Sequence, residues 1–218
     1  MENKAVVCTI QDITKRHGPS TVLGPVSLAL CSGETLGIRG ANGAGKSTLL
    51  KIIAGITKAD SGSVHIPADI QKRIGYVPQD IALYLSLSGR QNLTFWADIC
   101  GLRGEQKKLR INWLLNEVGL SDRADAQVQA YSGGMRRRLN LAAALLVTPR
   151  ILLLDEPTVG ADYQSVDVML SLMAHMKKQG VSVVFISHRD DELEQVCNRI
   201  ITLDKGKIVA VQEPGAPL

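Results

Sequence analysis

The sequence predicts an α/β fold in which a mainly parallel sheet is joined to an N-terminal antiparallel β subdomain and interrupted by a helical insert. Three observations predict it. Ile151-Leu152-Leu153-Leu154 and Val181-Ser182-Val183-Val184-Phe185-Ile186 are continuous apolar runs of the kind found in strands buried on both faces of a parallel sheet. Between them lies a helical pattern, roughly Tyr163 to Lys178, ended by Gly180. The stretch from about 84 to 149 changes composition and reads as helices alone. With 218 residues, 45% hydrophobic and 21% charged, the chain has the material for a real core and is neither disordered nor fibrous. Its length allows one domain or a compact two-lobed unit.

Taken in order, Ala5-Ile10, Val26-Leu30 and Thr35-Arg39 read as short strands, broken by the turn-forming stretches Lys15-Arg16-His17-Gly18-Pro19 and Cys31-Ser32-Gly33. Gly45 to Ala54 carries Leu49, Leu50, Ile52 and Ile53 without a proline, which predicts a helix stopped by Gly55. Strands at Ser63-Ile66 and Ile74-Val77 then lead to Pro78-Gln79. Ser88-x-x-Gln91 has the form of a capping box and should open a helix running to about Cys100. Leu109, Trp113, Leu114 and Val118 mark a second, amphipathic helix. A third should run from Ser132 to about Val147, where Thr148-Pro149 ends it. In the helix over 163–178, Val166, Met169, Leu172, Met173 and Met176 form a stripe expected to pack into the core. Two strands, Arg199-Leu203 and Ile208-Val211, close the pattern around Asp204-Lys205-Gly206-Lys207, and Pro214 to Leu218 reads as a frayed tail.

Composition excludes several function classes. The longest clean apolar run, Leu141 to Val147, falls far short of the roughly 18 residues that span a bilayer, so the chain is not expected to cross a membrane by itself. Met1-Glu2-Asn3-Lys4 leads directly into a strand pattern with no signal region, so export is not expected. Cys8, Cys31, Cys100 and Cys197 lie far apart, without metal-ligand spacing, and are expected to be reduced cytosolic thiols. A net charge of +4 is too mild to choose among phosphates, an anionic membrane face and nothing specific.

The chemistry lies in short motifs. Gly40-Ala41-Asn42-Gly43-Ala44-Gly45-Lys46-Ser47-Thr48 satisfies G-x-x-x-x-G-K-[ST] between a predicted strand and a predicted helix, which marks a P-loop NTPase core. Glycines there let backbone N–H groups curl around phosphate oxygens. The helix N-terminus adds a favourable dipole, Lys46 reaches the β- and γ-phosphates, and the Ser47 hydroxyl ligates Mg²⁺. The apolar strand 151–154 ends in Asp155-Glu156-Pro157. Two adjacent acids repel each other unless a cation intervenes; Asp155 is the expected metal-side carboxylate, and Glu156 the group that polarises the attacking water.

With Tyr131-Ser132-Gly133-Gly134-Met135 between Gln79 and that strand, followed by Gly160-Ala161-Asp162 and by His188 after Ile186-Ser187, the chain resembles the ATP-binding cassette (ABC) ATPases over about residues 5 to 211. The resemblance implies a two-lobed cassette, with 1–83 and 150–218 as the catalytic lobe and 84–149 as the helical signature subdomain. It would work as a head-to-tail dimer, homomeric or heteromeric, binding ATP and Mg²⁺. Gln79 would contact Mg²⁺ or the attacking water, His188 would contact the γ-phosphate, and Asp162 would organise the dimer interface. Ser132, Gly133 and Gly134 would act in trans on the nucleotide held by the partner's P-loop. Arg136, Arg137 and Arg138, next to the signature, would help surround phosphates or support the interface.

Three positions depart from the family's usual pattern. His17 stands where an aromatic commonly stacks on adenine, which weakens stacking. The signature reads YSGGM where LSGGQ is commoner, and Ala161 replaces a common Leu. The stretch 131–139 is similar to that of cassettes exporting drugs, lipids and polysaccharides. The implied function is therefore the ATP-hydrolysing subunit of an exporter, peripheral on the cytoplasmic face of the plasma (inner) membrane. It would drive separate transmembrane permease subunits, whose cytoplasmic helix would meet a groove near Tyr84, Leu85, Leu87, Phe95 and Trp96. A soluble cassette acting on nucleic acid is disfavoured, since only 4% of residues are aromatic and no stacking platform is visible. A degraded, non-catalytic cassette is disfavoured by the presence of Lys46, Gln79, Ser132, Asp155, Glu156 and His188.

Overall fold

A computed structural model of the chain describes residues 5–214, so Met1–Lys4 and the end of the expected tail lie outside the described residues. The N-terminal sheet is built from β1 (Val6–His17), β2 (Ser20–Cys31) and β4 (Ser61–His65), antiparallel in the order β2-β1-β4. Sequence expected shorter strands here; β1 and β2 are each 12 residues. Lys15, Arg16 and His17, expected in a turn, are part of β1, whose pairing with β2 is irregular. Gly24, at φ 112, lies where a Cβ would come within 2.3 Å of the Ile13 carbonyl, so only glycine lets the two strands approach.

The main sheet has the order β5-β6-β7-β3-β8-β9, in which β3 (Thr35–Arg39), β5 (Ile74–Val77), β6 (Ile151–Asp155), β7 (Ser182–Ile186) and β8 (Arg199–Asp204) run parallel. The edge strand β9 (Lys207–Gln212) is antiparallel and returns through Lys205 and Gly206, both at positive φ. Alternation along β6 divides the interior. Leu152 and Leu154 face one apolar cluster, with Val183 and Phe185 of β7; Ile151 and Leu153 face the other, with Val184 and Ile186. The second cluster holds α1 (Lys46–Ile53) and the antiparallel sheet, and the first holds the remaining long helices.

Those helices are α3 (Gly89–Ile99), α4 (Gly104–Glu117), α5 (Gly133–Ala144) and α6 (Tyr163–Lys178). The capping box at α3 is formed: the Ser88 hydroxyl accepts from the Gln91 N–H at 3.1 Å, and the Gln91 side chain accepts from the Ser88 N–H at 2.8 Å. In α4 the buried face is Ile111, Leu114, Leu115 and the capping Val118, a 3–4–7 spacing. Leu109 falls on the opposite side and is exposed, contrary to the sequence expectation. Helix α5 ends at Ala144, a turn before Val147, although Leu145 and Leu146 remain fully buried in the turn that follows. The methionine stripe of α6 is buried as expected. Two short helices, α2 (Ala68–Gln71) and α7 (Asp190–Val196), carried too little apolar periodicity to be read from sequence. The four cysteines are all unpaired.

Removing the α3 cap with Ser88→Ala is expected to lower stability by about 1 kcal/mol, measured by thermal or urea unfolding.

Candidate active site

In a parallel sheet the carboxyl ends of the strands share one edge, and here the register puts Ile38 of β3 beside Ile186 of β7, Asp155 of β6 beside Ile186, and Val77 of β5 beside Leu154. Gly40, Glu156, Ser187-His188 and Pro78-Gln79 therefore leave the sheet at one level. The loop after β3 requires glycine for two different contacts. A Cβ on Gly40 would meet the Leu203 carbonyl at 2.1 Å, and one on Gly45, at φ 99, would meet the Val22 carbonyl at 2.5 Å. Lys46, 5% exposed, donates to the carbonyls of Gly40 at 2.8 Å and Ala41 at 3.1 Å. Burial pulls its ammonium below the usual lysine range, an effect opposed by the Glu156 and Asp155 carboxylates. A cleft of about 480 Å³ opens over this loop, lined by Asn42, Gly43, Ala44, Gly45, Lys46, Ser47 and Thr48 together with Gln79, Glu156 and His188. Val22 and Val159 complete its wall; being apolar and outside any motif, they gave no signal in the sequence.

The two adjacent carboxylates part company at the strand's end. Asp155 accepts from the Ser47 hydroxyl at 2.9 Å. Burial raises its carboxyl above the usual range, the Ser47 hydrogen bond opposes the rise, and Glu156 adds to it. Glu156 sits at φ 50, in the left-handed region, and is 7% exposed. One of its oxygens lies 2.6 Å from His188 Nε2, and the other accepts from Gln79 Nε2 at 3.2 Å. Ser47 and Asp155 provide oxygen donors beside the P-loop, a set that suits a hard divalent cation whose other ligands are phosphate oxygens and water.

The segment 131–135 does not line this cleft. Ser132 is the N-cap of α5, accepting from the Met135 N–H at 3.2 Å, and both Ser132 and Gly133 face solvent. Gly134 is buried against the start of α6, where a Cβ would come within 2.2 Å of Ser165 Oγ and 2.3 Å of Asp162 Oδ2. Asp162 is the α6 N-cap, accepting from the Ser165 N–H at 2.9 Å. Tyr131 is buried and its hydroxyl donates to the Arg123 carbonyl at 2.6 Å.

Residues 23–159 match the ABC transporter family, more than half of the chain. The chain belongs to that family. Among curated relatives, the cassette is 39% identical to the linearmycin resistance ATP-binding protein LnrL of Bacillus subtilis, over 92% of this chain and 67% of that protein. It is 35% identical to the Nod factor export ATP-binding protein I of Burkholderia thailandensis, over 95% and 70% respectively. It is 34% identical to the doxorubicin resistance ATP-binding protein DrrA of Mycobacterium tuberculosis, over 96% of this chain and 66% of that protein. Thus the cassette spans about two thirds of the length of these relatives. Among solved structures, a dimeric ATP-binding cassette in a post-hydrolysis state with ADP and Pi superposes with a TM-score of 0.86 at 26% identity, covering 96% of this chain and all of that one. The cbiO1 protein of Clostridium perfringens, part of the transporter complex cbiONQ, matches with a TM-score of 0.85 at 25% identity, over 96% and 89%. The cassette is an α/β P-loop ATPase.

His17 lies exposed at the end of β1 and does not line the cleft, whereas Val22 on the adjoining strand does. The three arginines after the signature donate to backbone carbonyls of the same chain. Arg136 donates to the carbonyls of Val128 and Gln129, Arg138 to those of Val118 and Gly119, and Arg137 to that of Gln79. Each spends its guanidinium on loop carbonyls, a use of a basic run that its charge alone does not reveal.

Gly134→Ala is expected to destabilise the cassette by about 1–3 kcal/mol through overpacking in urea unfolding. Gly133→Ala, whose Cβ would meet nothing nearer than the Gly160 carbonyl at 3.6 Å, should unfold like the wild type. The raised Asp155 carboxyl holds its proton in the folded chain at pH values where the unfolded chain has released it. Stability from this group is therefore lost as pH rises from the ordinary carboxylate range through the folded value. Asp155→Asn should raise the melting temperature of the nucleotide-free cassette at neutral pH, with the gain shrinking as pH falls below the ordinary carboxylate range, while ATP hydrolysis is lost.

Proposed function

We propose that the cassette is the ATP-hydrolysing subunit of an exporter, and that it drives separate transmembrane subunits from the cytoplasmic face of the membrane. The observation that carries the reading of its chemistry is Glu156, a buried carboxylate at the end of β6 held from both sides by Gln79 and His188. In this reading Glu156 takes a proton from the attacking water, His188 orients that carboxylate and contacts the γ-phosphate, and Gln79 reports the state of the site to the helical lobe. Lys46 exchanges its loop carbonyls for the β- and γ-phosphates, and the glycines and N-terminal amides of α1 cradle the phosphate chain. Mg²⁺, held by Ser47 and Asp155 with Gln79 nearby, would neutralise charge on the phosphate oxygens.

Residues 1–83 and 150–218 form the catalytic lobe in this reading, and 84–149 the signature lobe. The solvent-facing Ser132 and Gly133, with Gly134 behind them, suit a head-to-tail dimer in which they approach the nucleotide of the second cassette. The Arg137 bond to the Gln79 carbonyl supports mechanical coupling between the lobes. Among the described residues no helix is long and apolar enough to cross a membrane, consistent with transmembrane partners on other chains. Exposed Tyr84 and Phe95, edge-on at 4.9 Å, with the half-buried Trp96 5.4 Å from Phe95, border the groove proposed for a partner's cytoplasmic helix. Export, rather than import, is supported by the relatives named for drug resistance and Nod factor export.

ATP hydrolysis by the purified chain, alone and with the membrane protein that co-purifies in detergent, tests this. Turnover is expected to rise with that partner, and Glu156→Gln to lower it by at least about 100-fold while ATP-analogue affinity stays at the wild-type value. Hydrolysis by Glu156→Gln at the wild-type rate would overturn the assignment.

A further inference from the structure

Glu192 lies in α7, outside every motif that marked the site, yet it is 2% exposed and its carboxylate is engaged by both loops that carry the catalytic pair. Its Oε2 accepts from Thr158 Oγ1 at 2.7 Å and from Ser187 Oγ at 2.9 Å. Thr158 is two residues beyond Glu156, and Ser187 immediately precedes His188; both are buried. Ser187 Oγ in turn accepts from the Arg189 N–H at 3.1 Å, and the Arg189 guanidinium lies 3.3 Å from Glu192 Oε1, in ion-pair range but without the alignment of a hydrogen bond. Burying a carboxylate is costly unless its partners are well placed, and a helix meant only to pack here would be served as well by an apolar residue. The sole direct contact between the side chains of the catalytic pair is the 2.6 Å approach of His188 Nε2 to Glu156. That approach depends on the relative position of two loops leaving neighbouring strands, and Glu156 holds a left-handed backbone conformation that its surroundings must enforce.

We propose that Glu192 is a positioning residue for hydrolysis: its carboxylate clamps Thr158 to Ser187 and so sets the approach of His188 to Glu156. The inference rests on the assignment of Glu156 and His188 to hydrolysis made above. Displacements of about 1 Å at reacting groups cost on the order of 100-fold in rate, while ATP affinity depends on the P-loop, which Glu192 does not touch.

Steady-state hydrolysis by the full chain, with titration of a fluorescent non-hydrolysable ATP analogue, provides the test. Glu192→Ala is expected to lower kcat by about 10- to 100-fold and leave analogue affinity within about twofold. Glu192→Gln, whose side-chain carbonyl can accept from both hydroxyls, should keep kcat within about threefold of wild type. Thr158→Val and Ser187→Ala, each removing one donor, should fall between the two, and they carry the test should Glu192→Ala fail to fold. The proposal is overturned if Glu192→Ala, or both hydroxyl variants, retain wild-type kcat. It is also overturned if the Gln variant is no better than Ala, or if kcat and analogue affinity fall together. Glu156→Gln run in parallel separates the two claims. A live Glu156→Gln enzyme removes the site assignment itself, whereas a dead one beside fully active Glu192 variants removes the clamp alone.

Discussion

Two carboxylates follow one another at the tip of a strand whose four preceding residues are wholly buried, and most of the architecture can be understood as a response to that arrangement. Like charges at adjacent positions in a low-dielectric setting repel strongly unless each is given its own partner. Asp155 is answered by Ser47, from the helix that follows β3. Glu156, turned away by its left-handed backbone, is answered by Gln79 beyond β5 and His188 beyond β7. Four strands must therefore end at the same height, and in-register parallel pairing achieves this. The same edge brings the phosphate loop and the acids within reach of one substrate.

Helices α3 to α5 are tied to this edge by an apolar cluster shared with β6 and β7 and by arginine bonds to backbone carbonyls. Helix α5 packs against α6 closely enough that position 134 admits no side chain, and α5 also extends Arg137 to the Gln79 carbonyl. Arg136 and Arg138 secure loop carbonyls on the other side of that helix. A shift of α5 would thus be felt at Gln79, and through it at the Glu156 carboxylate. This gives a continuous set of contacts from the solvent-facing Ser132 to Gln79 and Glu156, with bistability of those contacts as the requirement for it to act as a switch.

Much of this was legible in the residues. Buried parallel strands announce themselves as apolar runs, so β6 and β7 were readable to within a residue or two; the short strands β3 and β5 and the capping box of α3 were readable too. Where apolar spacing was ambiguous the reading slipped: Leu109 sits on the wrong side of α4, and the first half of the turn expected over 15–19 lies inside the long irregular strand β1. Short elements such as α7 escaped because seven residues hold too few periods to register.

Sequence alone determined which groups the phosphate loop and the acidic strand end present, because spacing along the chain fixes what a strand–turn–helix displays, whatever else surrounds it. Tertiary structure decided what distant residues do to one another. The Arg136–Arg138 run turned inward to loop carbonyls, His17 stayed outside the cleft while Val22 entered its wall, and Glu192 met Thr158 and Ser187 across two loops. Charge, exposure and partner depend on which segments packing brings together, and that information is spread across the whole chain rather than held in any local pattern of residues.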